Sequence, residues 1–213
     1  MNIVISYDQP TSTLPTGFTT VVSAVASFYG TQFTDNITFN LHVGYGEVHG
    51  SALGSGALGQ SFYFLNQYSY SQIRNALSAD ARSVDDSTGL GNVPTVDPIG
   101  GTHQYWVAQV QAKALGLLSD ATVIDQYVGF SNTFMFDYDR SNGITAGQYD
   151  FYGTVAHEVA EVMGKNLLVG GTIGSTTNSY VPSDLFHYSA SGVRDFSGTT
   201  PGYFSRWRRH QPE

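Results

Sequence analysis

Polar and apolar residues alternate over residues 2–7, NIVISY, which predicts a short strand before the spacing changes. In PTGFTTVVSAVASFYG, Phe18, Val21, Val22, Val25 and Phe28 recur three or four residues apart, as one apolar face of a helix does. From Ile37 the period returns to two. ITFNLHVGY is expected to turn Ile37, Phe39, Leu41, Val43 and Tyr45 inward and Thr38, Asn40 and His42 outward.

GSALGSGALGQ, two similar pentads of small residues, reads as a flexible connection. No Lys-Ser or Lys-Thr pair follows to make it a phosphate loop. SYSQIRNALSADAR and THQYWVAQVQAKALGLL predict helices on either side of the turn-rich STGLGNVPTVDPIGG, and VIDQYVGF predicts a strand. GQYDFYGTVAHEVAEVMG carries helix signals at both ends, with Asp150 at the N-cap and Gly164 where the chain should leave. This alternation of elements predicts an α+β fold, a single domain over residues 1–205 with a twisted, mostly antiparallel sheet packed on helices.

Hydrophobic residues make up 41% of the 213 and aromatics 14%, enough for a sizeable core. No apolar run approaches the roughly 20 residues of a membrane span. A net charge of -8 argues against nucleic acid or an anionic membrane as the main partner, since both attract basic surfaces. The absence of cysteine excludes disulfides, thiolate zinc sites and thiol nucleophiles, so any metal must be held by His, Asp or Glu. Charged residues are only 12%, and Gly, Ser, Thr, Asn and Tyr supply the polar surface, a profile that suits an extracellular bacterial protein. MNIVISYDQP lacks the features of a signal peptide, so a secreted form is expected to have had its signal removed or missed.

Candidate chemistry is concentrated in TVAHEVAEVMGK. On a helix, His157 and Glu161 lie one turn apart on one face, where their side chains can converge on one ion, and Glu158 lies beside that face. In the related HExxH pattern two ligands four residues apart fix a metal and the intervening Glu takes a proton from water; a carboxylate in the second ligand position keeps the geometry and changes the charge. FDYDRSNGI sets Asp137, Asp139, Ser141 and Asn142 ahead of Gly143, an oxygen-rich turn of the kind that binds Ca2+. The EF-hand glycine and bidentate Glu do not fall in place there, and an ordinary Asn-Gly turn is the competing reading. His42, His49 and His103 have no ligand partner at diagnostic spacing.

DNITFNLHVGYGEV, YDFYGTVAHEVAEVMG and VPSDLFHYSASGVRDFSG together resemble a family of secreted bacterial zinc metalloproteases of the zincin class, often associated with a C-terminal sorting tail. The resemblance covers nearly all of residues 2–205, and that family carries HExxE. It implies a zincin-like, metzincin-like domain, one catalytic Zn2+, a polypeptide substrate and hydrolysis of peptide bonds, with a monomer as the expected state. By position it makes His157 and Glu161 metal ligands and Glu158 the general base. Metzincins take a third ligand six residues after the second, but Leu167 stands there. Two candidates remain: Asp184, 23 residues beyond Glu161, and His187, which replaces the arginine of the family's DLFRYS. Tyr188 is the candidate oxyanion donor. The rival expectation is a non-catalytic secreted surface or matrix protein that keeps a zincin fold.

Residues 206–213, RWRRHQPE, are basic in an acidic chain and depart from the family's IDGG-like continuation. Their codons, read one nucleotide later, permit Asp-Gly-Gly-Ala-Thr-Asn-Leu. The expectation is an aberrant, frameshifted tail on a domain that lacks its C-terminal end.

Overall fold

The computed structural model describes residues 1–120 and 124–205. In chain order the first elements are β1 (Asn2–Tyr7), α1 (Phe18–Gln32), β2 (Thr38–Tyr45), β3 (Glu47–Val48), β4 (Ser51–Ala52), β5 (Gly59–Tyr63), β6 (Leu65–Tyr68), α2 (Tyr70–Asp80), α3 (Val84–Asn92), β7 (Gln104–Ala108) and α4 (Gln109–Ala114). There follow β8 (Gln126–Phe130), β9 (Phe136–Asp137), β10 (Tyr149–Asp150), α5 (Phe151–Val162), β11 (Gly171–Ile173), β12 (Thr176–Tyr180), β13 (His187–Ala190), β14 (Val193–Arg194) and β15 (Tyr203–Phe204). This is a mixed chain of helices and several small sheets, consistent with the α+β expectation. No described helix is long and apolar enough to cross a membrane. The basic tail at 206–213 and the first residue of the strand expected from 123 lie outside the described residues.

The chain divides into two compact units, Met1–Phe64 with Ser119–Met163, and Leu65–Leu118 with the residues from Gly164 onward. In the first, the sheet order is β1-β2-β8-β5. β1 and β8 both run parallel to β2, and only the edge strand β5 is antiparallel, to β8. The sheet that carries α5 is therefore mostly parallel, although antiparallel pairings predominate in the small sheets elsewhere. Phe39, Leu41 and Val43 of β2 are buried as their alternation predicts. Phe18 of α1 lies 4.8 Å from the ring of Phe151 and 6.0 Å from that of Phe130, so both helices close on the same face of the sheet. Phe28 departs from expectation at 47% exposed. The buried stripe instead passes through Ala26 toward Tyr29, whose hydroxyl donates to the carbonyl of Ala156 at 2.9 Å.

The second unit has a sheet of order β11-β12-β7-β6 over a core of Tyr70, Ile73, Tyr105, Val107, Tyr180 and Leu185. α2 begins at a reciprocal capping box between Ser69 and Gln72. The helix expected over residues 102–118 is a strand followed by a short helix, β7 and α4. Tyr105 and Val107 are buried while Gln104 and Trp106 are half-buried, a period of two that aromatic and β-branched residues favour over the helical reading. α3 occupies residues expected to be turn from Ser87 onward. A capping box between Ser83 and Asp86 starts it despite Gly89 and Gly91.

Candidate active site

α5 buries Phe151, Val155, Val159 and Val162, spaced four, four and three residues apart, so one stripe of the helix is committed to the core. The neighbouring face borders a cleft of about 510 Å³ lined by Tyr149, Asp150, Gly153, Thr154, His157 and Glu158 on one side and by Leu58 and Gly59 on the other. Asp150 occupies the N-cap with extended backbone, though its side chain makes no capping bond. The chain leaves the helix at Gly164, whose φ of 98° lies in the left-handed region that glycine takes at little cost.

His157 Nε2 and Glu161 Oε1 stand 3.1 Å apart, with side chains 68% and 37% exposed. The imidazole and the carboxylate thus reach the same point above the helix from successive turns. Glu158 is buried. Its Oε2 accepts a 2.6 Å hydrogen bond from Ser61 Oγ on β5. Burial holds its carboxyl above the ordinary value, opposed by the Ser61 bond; the charge of Glu161 raises it further and His157 lowers it. A carboxylate pushed toward neutrality in this way is a better proton acceptor than a solvated one. Gly59 gives it room, because a Cβ at that position would lie 2.8 Å from Glu158 Cγ and Oε1.

The later candidates have different surroundings. Asp184 is fully buried, with Oδ1 accepting from the backbone N–H of Leu168 at 3.2 Å and Oδ2 from those of Val169 at 3.1 Å and Val181 at 2.9 Å. Burial raises its carboxyl, against the opposing effect of these three amides. These contacts support a structural staple that holds Val169 at a φ of 42°, costly for a β-branched residue. His187 donates from Nδ1 to the carbonyl of Asp195 at 2.9 Å, and a Cβ on Gly202 would lie 2.2 Å from Nε2, so backbone covers the remaining nitrogen. Tyr188 is fully buried beneath the Arg194 guanidinium, which lies 5.1 Å above its ring, and its hydroxyl meets no partner among the described residues.

The residues of α5 fit part of a zinc site: one imidazole nitrogen and one carboxylate oxygen, exposed and convergent, with a buried carboxylate beside them. Among the described residues no group of three or more His, Asp or Glu side chains is gathered to hold one ion. In the turn that reads either as an ordinary Asn-Gly turn or as a Ca2+ site, Asp137 accepts from Asp139 N, Thr145 N and Thr145 Oγ1, and Asp139 from Ser141 N and Oγ. Their oxygens serve the local chain, and Asn142 belongs to a short 3-10 turn capped by Asp139. Sequence reasoning misses Ser61 and Gly59 because β5 begins inside the glycine-rich stretch that reads as a connection. GQSFY carries no polar–apolar alternation to mark the strand, since its half-buried positions are Gly59, Ser61 and Tyr63 and its exposed ones Gln60 and Phe62. No protein family, characterised protein or solved structure matches the chain in comparison.

Proposed function

We propose that this chain is a secreted, zincin-like zinc metallopeptidase that hydrolyses peptide bonds. The observation that carries the reading is the 3.1 Å convergence of His157 and Glu161 on the exposed face of α5, with Glu158 at the adjoining cleft. His157 and Glu161 would hold the ion. Bound zinc supplies Lewis acidity, lowering the pKa of water and polarising the scissile carbonyl. Glu158 accepts the water's proton at Oε1, because Oε2 is engaged by Ser61, and passes it to the leaving amine. Burial of Glu158 supports this role by raising its affinity for a proton.

Elemental analysis of protein purified without chelator tests the reading, together with two substitutions that should fail differently. Glu158→Gln keeps both ligands, so metal content survives while hydrolysis falls by about 10² to 10⁴-fold, the cost of losing a general base. Glu161→Gln loses metal. Wild-type protein without stoichiometric metal, or Glu158→Gln protein that cleaves as well as wild type, would overturn the reading in favour of a non-catalytic surface or matrix protein.

A further inference from the structure

The cleft along α5 holds a carboxylate that the proposed chemistry does not use. Asp150 precedes His157 by seven residues, about 10 Å along the helix and within roughly 20° of the same face. Its Oδ1 is buried without a hydrogen-bond partner, and it does not cap its own helix. Oδ2 faces Arg140 Nη2 at 3.6 Å, a long ion pair with side chains 26% and 54% exposed, and the Arg140 guanidinium lies 4.8 Å over the ring of Tyr152. Gly153 keeps the approach to Asp150 open, since a Cβ there would lie 2.8 Å from Oδ2. Asp150 and His157 share this cleft with Leu58, Gly59, Tyr149, Gly153, Thr154 and Glu158, and no lysine or arginine lines it among the described residues.

An open cleft that sets Leu58 and Tyr149 beside a carboxylate held only by a long ion pair fits a long side chain with an aliphatic stem and a cationic head. We propose that Asp150 anchors a basic side chain of the peptide substrate, arginine before lysine, with the stem against Leu58 and Tyr149. Arginine is favoured because its planar, weakly hydrated guanidinium can meet Oδ2 while lying against the ring of Tyr149, whereas an ammonium acts as a strongly hydrated point charge. The distance from Asp150 to His157 matches an extended arginine side chain plus about one residue of backbone. The overall charge of -8 draws such a peptide in. The inference rests on the peptidase reading for the position of the bond to be cut.

Its test is a binding measurement that needs no turnover. A fluorescent octapeptide with a central arginine and its counterpart with citrulline, the same shape without the charge, are titrated against full-length Glu158→Gln protein, with and without zinc. The arginine peptide should bind about tenfold tighter, the order of one charge-assisted hydrogen bond. Adding Asp150→Asn should erase the difference between the two peptides. Adding Arg140→Ala, which removes the internal competitor, should widen it, and this arm remains decisive if Asp150→Asn does not fold. Equal binding of the two peptides, no binding of either, or a preference that survives Asp150→Asn overturns the inference. A protein that discriminates the peptides yet hydrolyses nothing keeps the subsite and loses the peptidase reading. One that hydrolyses without discriminating does the reverse.

Discussion

The hydroxyl of Ser61 donates to Glu158 Oε2 at 2.6 Å, so the edge strand β5 fixes the orientation of the carboxylate assigned as base. Ser61→Ala removes that restraint and leaves His157 and Glu161 untouched. Hydrolysis should fall about tenfold, the order of one hydrogen bond to a charged group, with metal content unchanged. Ser61→Thr, which keeps the hydroxyl and suits a strand, should recover most of the loss. Steady-state kinetics beside elemental analysis of each variant decides the matter, and a loss of metal in Ser61→Ala would contradict it.

Gly59→Ala acts on the same carboxylate from the other side. The added methyl would lie 2.8 Å from Glu158 Oε1, closer than carbon and oxygen tolerate, so either the base or the strand must shift. A stability cost of about 1–3 kcal/mol is expected from this overpacking. If the proposed role of Glu158 as base holds, kcat should fall by more than the change in KM. Denaturant titration and kinetics of one preparation measure both.

Asp184→Asn should unfold more easily without losing metal. The carboxylate gathers the N–H groups of Leu168, Val169 and Val181, and an amide in its place offers one acceptor oxygen and presents a donor to donors. A loss of about 1–3 kcal/mol is expected for the groups left unsatisfied. His187→Ala in the same pair of assays completes the comparison. Whichever variant loses metal at unchanged stability is the ligand, and loss by Asp184→Asn would refute its assignment as a staple.

Acid should destabilise the fold in a defined window. Hydroxyl and backbone donors lower the carboxyl of Asp195, through Ser197 first, and that of Asp137, through Thr145 first. For a carboxyl whose folded value lies below its unfolded value of about 3.9, the stability contributed is present above that pH and is lost as pH falls through the folded value. The contribution of these two carboxyls to the thermal midpoint should therefore be intact above about pH 4 and lost below it, whereas the raised carboxyls of Glu158 and Asp184 act in the opposite sense. Asp195→Asn should lower the midpoint at neutral pH and flatten the acid fall. A melting series over that range reads both.

The most periodic stretches of the sequence are the most legible. β1, β2 and α5 lie where alternation or helical spacing puts them: β2 and α5 each bury one face in a core, and β1 keeps one face half-buried and the other exposed. β7 reads as helix because its five residues run directly into α4, and a short strand fused to a short helix offers no long window of either period. His157, Glu158 and Glu161 are legible as a set because helix geometry alone fixes their relation. Ser61, Gly59 and Asp150 owe their importance to what stands opposite them in space, and no local pattern encodes that. The same holds for Asp184, whose three amide partners come from two separate turns.

α5 keeps its apolar stripe and its cleft-facing groups on different sides of one twelve-residue helix. Inherited changes along it should consequently sort into two kinds of lesion. Substitutions at Val155, Val159 or Val162 reduce how many molecules survive folding and cellular quality control. Those at His157 or Glu161 leave the supply of protein intact and silence each molecule. A genetic selection for loss of the proposed activity, scored for protein abundance, would separate the two groups by helical position alone and so draw the outline of the site.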